Sequence, residues 1–306
     1  MSSKNDTSSA IGLKAIRTLD KIVDNVLLVA LVIVLLFSVY IVYDNRQTVQ
    51  TASASSFEQY RPSEEESFAG LVSENDEVFG WVSVYGTGID YPIAQGENNY
   101  KYVSTDVRNK PSLAGSIFLD AKNDRAFTDF NSIIYGHHMA ESAMFGDIDK
   151  FGATEYLEEH AYGELYTAVT DTYYGVEFFA YVMGDAYDWK LYDPAIAGEA
   201  EAQAYVDYLD SIAVASRDVD VSASDRIVLL STCASEPTNG RHVIVGKLTD
   251  ERFENAFGTE RADQSGLARI DALSNVSLIV VSLIVIVLAS VLVYVLKRRK
   301  DAITAP

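Results

Sequence analysis

The sequence predicts a mostly β extracytoplasmic domain with peripheral helices, flanked by two transmembrane helices. Two uncharged apolar runs, residues 26–43 and 276–296, are each long enough to cross a bilayer. Between them, eight short runs rich in Val, Ile, Tyr and Phe are separated by turn residues, a pattern typical of a mostly antiparallel sheet or barrel. One segment, Glu199–Val214, places its apolar residues at helical spacing instead.

The two apolar runs set the expected membrane topology. Basic residues lie just before the first run, between Lys4 and Lys21, and just after the second, at 297–300. Because basic flanks stay in the cytoplasm, residues 1–25 and 297–306 are expected inside the cell and the chain between the spans outside. Ala52-Ser53-Ala54 resembles a signal-peptide cleavage site, but the length of the first run favours an uncleaved anchor.

The exported part divides into three segments. Residues 44–74 are polar and acidic and are expected to form a stalk or solvated helix, residues 75–254 a compact domain, and residues 255–275 a second tether. The helix at Glu199–Val214 is expected just before the last two strands. The predicted strands are 80–84, 88–93, 116–119, 132–135, 164–169, 176–183, 227–230 and 242–248.

The composition excludes several classes of function. The chain of 306 residues carries 44 acidic and 24 basic side chains, a net charge of −20, which argues against a nucleic-acid protein held by phosphate contacts. It has one cysteine, so an intrachain disulfide and a cysteine-based zinc cluster are both excluded. The acidic residues show no clustered calcium-ligand spacing, and the sequence implies no cofactor or metal.

The lone cysteine, Cys233, is the main candidate for chemistry. Outside the cell a spare thiol is a liability unless it is buried, paired between chains or used. Cys233 closes a predicted strand, and a turn-rich connection leads to the next strand at Arg241. If the two strands pair as a hairpin, both residues come to its same end, where a guanidinium favours a thiolate or holds an oxyanion. Local sequence leaves open that Cys233 is an inert buried residue.

Four histidines are candidates for the base that a thiol nucleophile needs. His137 and His138 follow the predicted strand 132–135, where a loop can present a side chain to a cleft. His160 lies in a charged stretch and is expected at the surface. His242 adjoins Arg241 and is expected on the opposite face of its strand. Metal binding by His137 and His138 is disfavoured, because adjacent residues of an extended chain diverge.

These residues resemble the active-site motifs of the sortase family. Leu230-Ser231-Thr232-Cys233, with Arg241 eight residues later, is similar to the family signature Thr-Leu-X-Thr-Cys, with Leu229 in place of the first Thr. The run Tyr135–Met139 followed by Met144–Asp147 resembles the histidine loop of class B members. The resemblance extends from about Asn75 to Leu248 and includes the segments Gly80–Val84, Ile89–Ile93 and Gly115–Asp120.

The resemblance implies an eight-stranded sortase barrel and a cysteine transpeptidase. Cys233 would attack the carbonyl after the Thr of a sorting signal and form a thioester, which an amine then resolves. His137 would be the general acid and base, with His138 as the alternative. Arg241 would hold the substrate and stabilise the oxyanion, and Ser231 and Thr232 would add hydroxyl contacts. The family reaction requires no cofactor.

The implied partners are surface proteins that carry a C-terminal sorting signal, together with an acceptor amine. The acceptor is expected to be a peptidoglycan-precursor cross-bridge. A pilin lysine is the alternative, because a C-terminal span is more usual in the pilus-building class C than in class B. Two other hypotheses stay open, a hydrolytic extracellular cysteine peptidase and a non-catalytic membrane-tethered binding module.

Overall fold

The computed structural model describes residues 3–62, 67–233, 239–258 and 290. It separates into two compact units, Met1–Arg46 with Gln264–Pro306 and Gln47–Asp263. The predicted second transmembrane helix, 276–296, lies outside the described residues apart from Ser290. The predicted tether at 255–275 is described only as far as residue 258.

A single long helix, α1 (Ser3–Ala52), contains the first predicted span. Its apolar side chains, such as Leu27, Val34 and Phe37, are exposed along the segment 26–43. Within the described part of the chain, α1 is the one helix long and apolar enough to cross a membrane.

The segment after the span differs from the expected solvated stalk. The end of α1 contributes Val49 and Ala52 to the core of the second unit, and Ala54 in the next 3-10 turn is also buried there. The Tyr91 hydroxyl donates a hydrogen bond to the carbonyl of Ala52 at 3.0 Å. A second 3-10 turn (Glu58–Tyr60) and helix α2 (Ser67–Glu74) follow. Small side chains inside a polar stretch therefore make a packed flank rather than a free tether.

The second unit is built on an eight-stranded barrel, as predicted. Its strands pair in the order β5-β1-β2-β3-β4-β8-β9-β6, and β5 pairs with β6 to close the ring. The β2–β3 and β4–β8 pairs are parallel, and the other pairs of the ring are antiparallel. The strands are β1 (Val78–Val84), β2 (Asp90–Ala94), β3 (Ile117–Leu119), β4 (Asn131–Gly136), β5 (Tyr162–Thr167), β6 (Thr172–Asp185), β7 (Ala213–Ser216), β8 (Arg226–Cys233) and β9 (Gly240–Thr249).

The helices lie between strands. Helix α3 (Thr154–Glu159) precedes β5, and α4 (Glu199–Ile212) precedes the last two barrel strands, as predicted. The predicted helix end at Val214 is too late, because Ala213–Ser216 form the short strand β7 beside β6. Val214 is β-branched and pairs better in an extended chain than in a helix.

Apolar side chains of β8 pack on both faces of the sheet, which explains its unbroken run Ile227–Leu230. Val228 and Leu230 belong to the core cluster inside the barrel. Ile227 and Leu229 belong to a second cluster, which includes Tyr205 and Leu209 of α4. Strand β8 is thus fixed from both sides, and its last residue is Cys233.

Candidate active site

Three neighbouring strands bring the predicted catalytic residues to one end of the barrel. The parallel strands β4 and β8 stay in register up to the pair Gly136 and Thr232, so His137 and Cys233 are the next residues of each. Strands β8 and β9 pair as a hairpin, in which Cys233 lies opposite Arg241. The hairpin predicted from the sequence is therefore present. His137 is distant in sequence from Cys233 and Arg241, but the main chains of all three lie at the same end of the barrel.

The alternation of side chains separates the two adjacent histidines. Along β4, Ile133 belongs to the outer cluster and Ile134 to the barrel interior. Continued with a period of two, this places Tyr135 and His137 at outer-face positions and His138 at an inner-face position.

Strands β8 and β9 follow the same alternation. Leu229 and Val243 belong to the outer cluster, and Leu230 and Ile244 to the interior. Ser231 and Arg241 therefore hold outer-face positions, and Thr232 and His242 hold inner-face positions.

An open cavity of about 400 Å³ lies at this end of the barrel. Its lining brings together His137 and Arg241 with two tyrosines, Tyr135 and Tyr192. Both proposed hydroxyl contacts, Ser231 and Thr232, also belong to the lining. A concave site with a few convergent polar groups is the usual form of a substrate cleft.

A hydrogen bond fixes the orientation of the His137 ring. Its Nε2 lies 2.8 Å from the carbonyl oxygen of Val103, which can only accept, so Nε2 carries a proton. The main chain is fixed too, because the Phe145 amide donates to the His137 carbonyl at 3.0 Å. The remaining ring nitrogen, Nδ1, is the one that can exchange a proton with a thiol.

The other polar residues of the cleft are held differently. Arg241 is partly exposed and donates from Nη1 to its neighbour's carbonyl, that of Gly240, at 3.2 Å. Ser231 is 1% exposed, and its hydroxyl lies 3.0 Å from the Tyr192 hydroxyl. Thr232 is equally buried, and its Oγ1 finds no hydrogen-bond partner within the described residues.

A tyrosine wall of the cleft was not singled out from the sequence. Tyr135 donates to Asp120 at 3.1 Å, and Asp120 also accepts from the Asn99 amide at 2.7 Å. Burial and the Asp120 carboxylate raise the pKa of Tyr135, so it stays a neutral donor. Tyr135 could have been found by its spacing of two from His137. Tyr192 lies in the connection between β6 and α4, where no local pattern marks it.

The remaining histidines lie outside the cleft lining. His242 lies on the opposite face of β9 from Arg241, as expected from the alternation of side chains. Its Nδ1 is hydrogen-bonded to the Tyr181 hydroxyl. The prediction that His160 is a surface residue is wrong. Its ring is stacked on Tyr156 and on Phe257, and only 7% of the residue is exposed. The charged neighbours Glu158 and Glu159 hid this aromatic packing.

Comparison with known proteins identifies the family, although no protein-family model matches the chain. Sortase B of Listeria monocytogenes is 36% identical over 176 residues, which cover 57% of this chain and 70% of that protein.

Two solved structures are also similar. Sortase B from the type II pilus of Streptococcus pneumoniae is 47% identical, with a TM-score of 0.52, and the match covers 60% of this chain and 99% of that one. A Streptococcus pyogenes class B sortase involved in pilus biogenesis is 35% identical, with a TM-score of 0.55 over 59% and 97% of the two chains. With its barrel and its strand-end cleft, the chain belongs to the sortase family of cysteine transpeptidases and has a class B-like catalytic domain.

Proposed function

We propose that the enzyme cuts the C-terminal sorting signal of a surface protein after its Thr and joins the new carbonyl to an amine. The catalytic residues of this proposal are Cys233, His137 and Arg241. The observation that supports it is the strand register, in which the end of β4, the end of β8 and the start of β9 lie at one level, beside a cleft lined by His137 and Arg241. Ser231 and Thr232 line the same cleft and are proposed to contact the signal.

In the first half-reaction the Cys233 sulfur bonds to the Thr carbonyl carbon, and the peptide bond after Thr breaks. The proton of the Cys233 thiol passes to His137 and from there to the departing amine, so the products are a thioester and the released C-terminal part. The Arg241 guanidinium stabilises the negative oxygen of the tetrahedral intermediate.

In the second half-reaction an acceptor amine attacks the thioester. Its proton passes to His137 and then to the sulfur, and an amide forms as the thiol is restored. One amide bond is broken and one is made, so the cycle needs neither an oxidant nor a reductant.

The first test follows the thioester and its resolution. Full-length enzyme in detergent is incubated with a pool of peptides of the Leu-Pro-X-Thr-Gly and Asn-Pro-X-Thr types, and the adduct is measured by intact mass. Cys233→Ala is expected to form no adduct. Arg241→Lys is expected to react about 100-fold more slowly, since one charge is kept but the guanidinium fork is lost.

Two results would contradict the proposal. An adduct on Cys233→Ala would exclude the thioester. A wild-type product that is only hydrolysed, at saturating amine, would favour the peptidase alternative, because water would then be the true acceptor.

We propose a pilin lysine as the acceptor, with the peptidoglycan cross-bridge amine as the second candidate. The support is that two similar solved structures are sortases from a pilus or involved in pilus biogenesis. The thioester formed above is offered equal concentrations of a lysine-containing pilin peptide and a cross-bridge peptide. Preferential amide formation on the lysine side chain supports the pilin reading, and preference for the cross-bridge reverses it.

We further propose that the enzyme is a membrane protein with both ends in the cytoplasm and the barrel outside. Helix α1 supports an N-terminal anchor, and the basic flanks of both apolar runs support the orientation. Epitope tags at each end of the chain should survive protease treatment of intact cells, while a tag in the α4 region is removed. Cleavage of the C-terminal tag would exclude the second crossing.

A further inference from the structure

Behind the cleft lies a second group of polar residues on the inner face of the sheet. Each proposed catalytic residue has a direct sequence neighbour at an inner-face position. His138 follows His137 and His242 follows Arg241, while Thr232, which precedes Cys233, borders the cleft as well. Across β8 and β9, Thr232 is the register partner of His242. Any shift of these inner residues therefore acts on the catalytic residues through one main-chain link.

The inner residues contact one another through side chains. His138 Nε2 lies 3.5 Å from Asp149 Oδ2, longer than a strong hydrogen bond, so the contact is electrostatic. The His138 and His242 rings lie 5.8 Å apart with an interplanar angle of 37°. The Tyr181 hydroxyl is hydrogen-bonded to Nδ1 of His242. These contacts link the loop after β4 to β6, to β9 and to the 3-10 turn Ile148–Gly152.

The group is anchored at its two ends. The turn that carries Asp149 packs on Tyr181, since a Cβ added at Gly152 would lie 3.2 Å from that ring. His138 also forms an isolated β-bridge with Met144. The Met144 amide in turn donates to the Tyr91 hydroxyl at 2.7 Å. The loop that presents His137 is thus tied to the barrel on both sides of its bend.

We propose that His138, His242, Tyr181 and Asp149 are positioning residues, which hold the loop bearing His137 at the level of the end of β8. The inference rests on the proposed roles of Cys233 and His137. None of the four belongs to the lining of the cleft, so they act through their neighbours and not on the substrate.

The polar chemistry of these four residues favours a role in orienting the histidine loop over a role in filling the barrel interior. Apolar side chains such as Phe145 and Ile244 are fully buried in the barrel interior. The two half-buried imidazoles cost more to desolvate than such side chains, but together with the exposed Asp149 carboxylate they fix angles and distances that apolar contacts leave free. A misplacement of about 1 Å in a catalytic group can cost about 100-fold in rate.

Alkylation of Cys233 by iodoacetamide tests the inference, because the full-length chain holds only this thiol. The rate at about pH 6.5 is divided by the rate at about pH 9.5, where the thiol ionises without help, so the ratio reports thiolate stabilisation and not access. His137→Ala is expected to lower the ratio about ten-fold, because the imidazolium beside the thiolate is lost.

Asp149→Asn and His242→Gln are each expected to lower the ratio about three-fold, since the imidazole is still present but less well placed. Asp149→Glu, which keeps the charge, should recover part of the loss. His160→Gln is the matched control, because it removes a packed histidine elsewhere in the barrel, and it should keep the wild-type ratio. Thermal unfolding of each variant verifies that it is folded, and His242→Gln carries the test if Asp149→Asn is not.

The outcomes separate the two levels of inference. If His137→Ala lowers the ratio while both inner variants keep it, the group only packs and the inference is wrong. An equal fall in His160→Gln would also overturn it, since the effect would then be general. If His137→Ala itself leaves the ratio unchanged, the thiol–imidazole pairing of the proposed function fails instead.

Discussion

At the scale of single residues, the alternation of side chains along an extended chain gives two adjacent histidines different surroundings. His137 follows Tyr135 by two residues and lines the cleft with it, whereas His138 reaches Asp149 and His242 on the other face. A proton on His137 Nε2 is fixed by the Val103 carbonyl. Two imidazoles one residue apart thus differ in partners, and the chemical role proposed for one cannot pass to the other without a change of register.

His242 gives a prediction for the dependence of stability on pH. Burial lowers the pKa of His242, Asp149 partly opposes this shift, and His138 adds to it. Tyr181, which is uncharged, is hydrogen-bonded to Nδ1 of His242. His242 therefore binds a proton more tightly in the unfolded chain than in the folded one. The folded state loses stability as the pH falls below about 6.5, the pKa of a histidine in the unfolded chain. Between about pH 7.5 and 5.5, the Tm of His242→Gln should fall by about 1–2 °C less than that of wild type.

Tyr181→Phe is the control for this measurement. It removes the hydroxyl but keeps the buried imidazole, so its Tm should follow the wild-type dependence on pH. If the Tm of His242→Gln changed with pH as that of wild type does, His242 would not be protonated more readily in the unfolded chain.

At the scale of elements, the sequence predicted most strands but only one of their pairings. The runs at 227–230 and 242–248 are apolar enough to be recognised, and their turn-rich connection predicted the Cys233–Arg241 pairing that the register shows. The parallel pairing of β4 with β8 joins residues almost a hundred positions apart, and no local pattern specifies it. Strand β7 was missed because Ala213–Ser216 continue the apolar spacing of α4. The expectation that His137 lies beside Cys233 accordingly rested only on the family resemblance.

Gly136, the last residue of β4, gives a prediction for the element that carries the histidine loop. A methyl group added there would lie 2.5 Å from Ile117 Cδ1 and 2.8 Å from Phe145 Cδ2. Since both neighbours are buried core residues, Gly136→Ala should destabilise the fold by about 1–3 kcal/mol. Displacement of the loop should also slow thioester formation, as measured with the peptide pool.

Gly70→Ala in α2 is the matched control. No atom lies within 4 Å of its added Cβ, and alanine favours a helix, so stability should rise by up to about 1 kcal/mol. Chemical denaturation of both variants gives the two values. Equal stability of Gly136→Ala and wild type would mean that Ile117 and Phe145 yield at no cost.

At the scale of the whole molecule, the packed catalytic unit does not begin where the apolar run of α1 ends. Composition placed a stalk at residues 44–74, because Ser, Thr, Gln and Glu dominate there. The structure instead buries Val49, Ala52 and Ala54 in the core of the second unit. A few apolar residues among many polar ones do not change a composition, yet these three join the main core cluster, and Phe68 and Leu71 of α2 join another.

This boundary predicts how far the N-terminus can be shortened. A chain that begins at Asp44 keeps the three buried residues and should be as stable as the full-length protein. A chain that begins at Phe57 loses them together with the Ala52–Tyr91 hydrogen bond. The free energy of unfolding should then fall by about 2–4 kcal/mol. Urea denaturation of the two shortened proteins measures the difference, and equal midpoints would show that the flank contributes nothing.

Strand β6 is paired on both of its edges. One edge pairs with β9, and the other pairs first with β5 and then with β7. An open sheet edge invites strand addition, in which a passing extended chain bonds to the unpaired main chain. Strand β7 pairs with residues 180–182 of β6, beyond the stretch that β5 covers. The outer edge of the sheet at this point is therefore that of β7, and its four residues offer few main-chain groups for a foreign strand to bind.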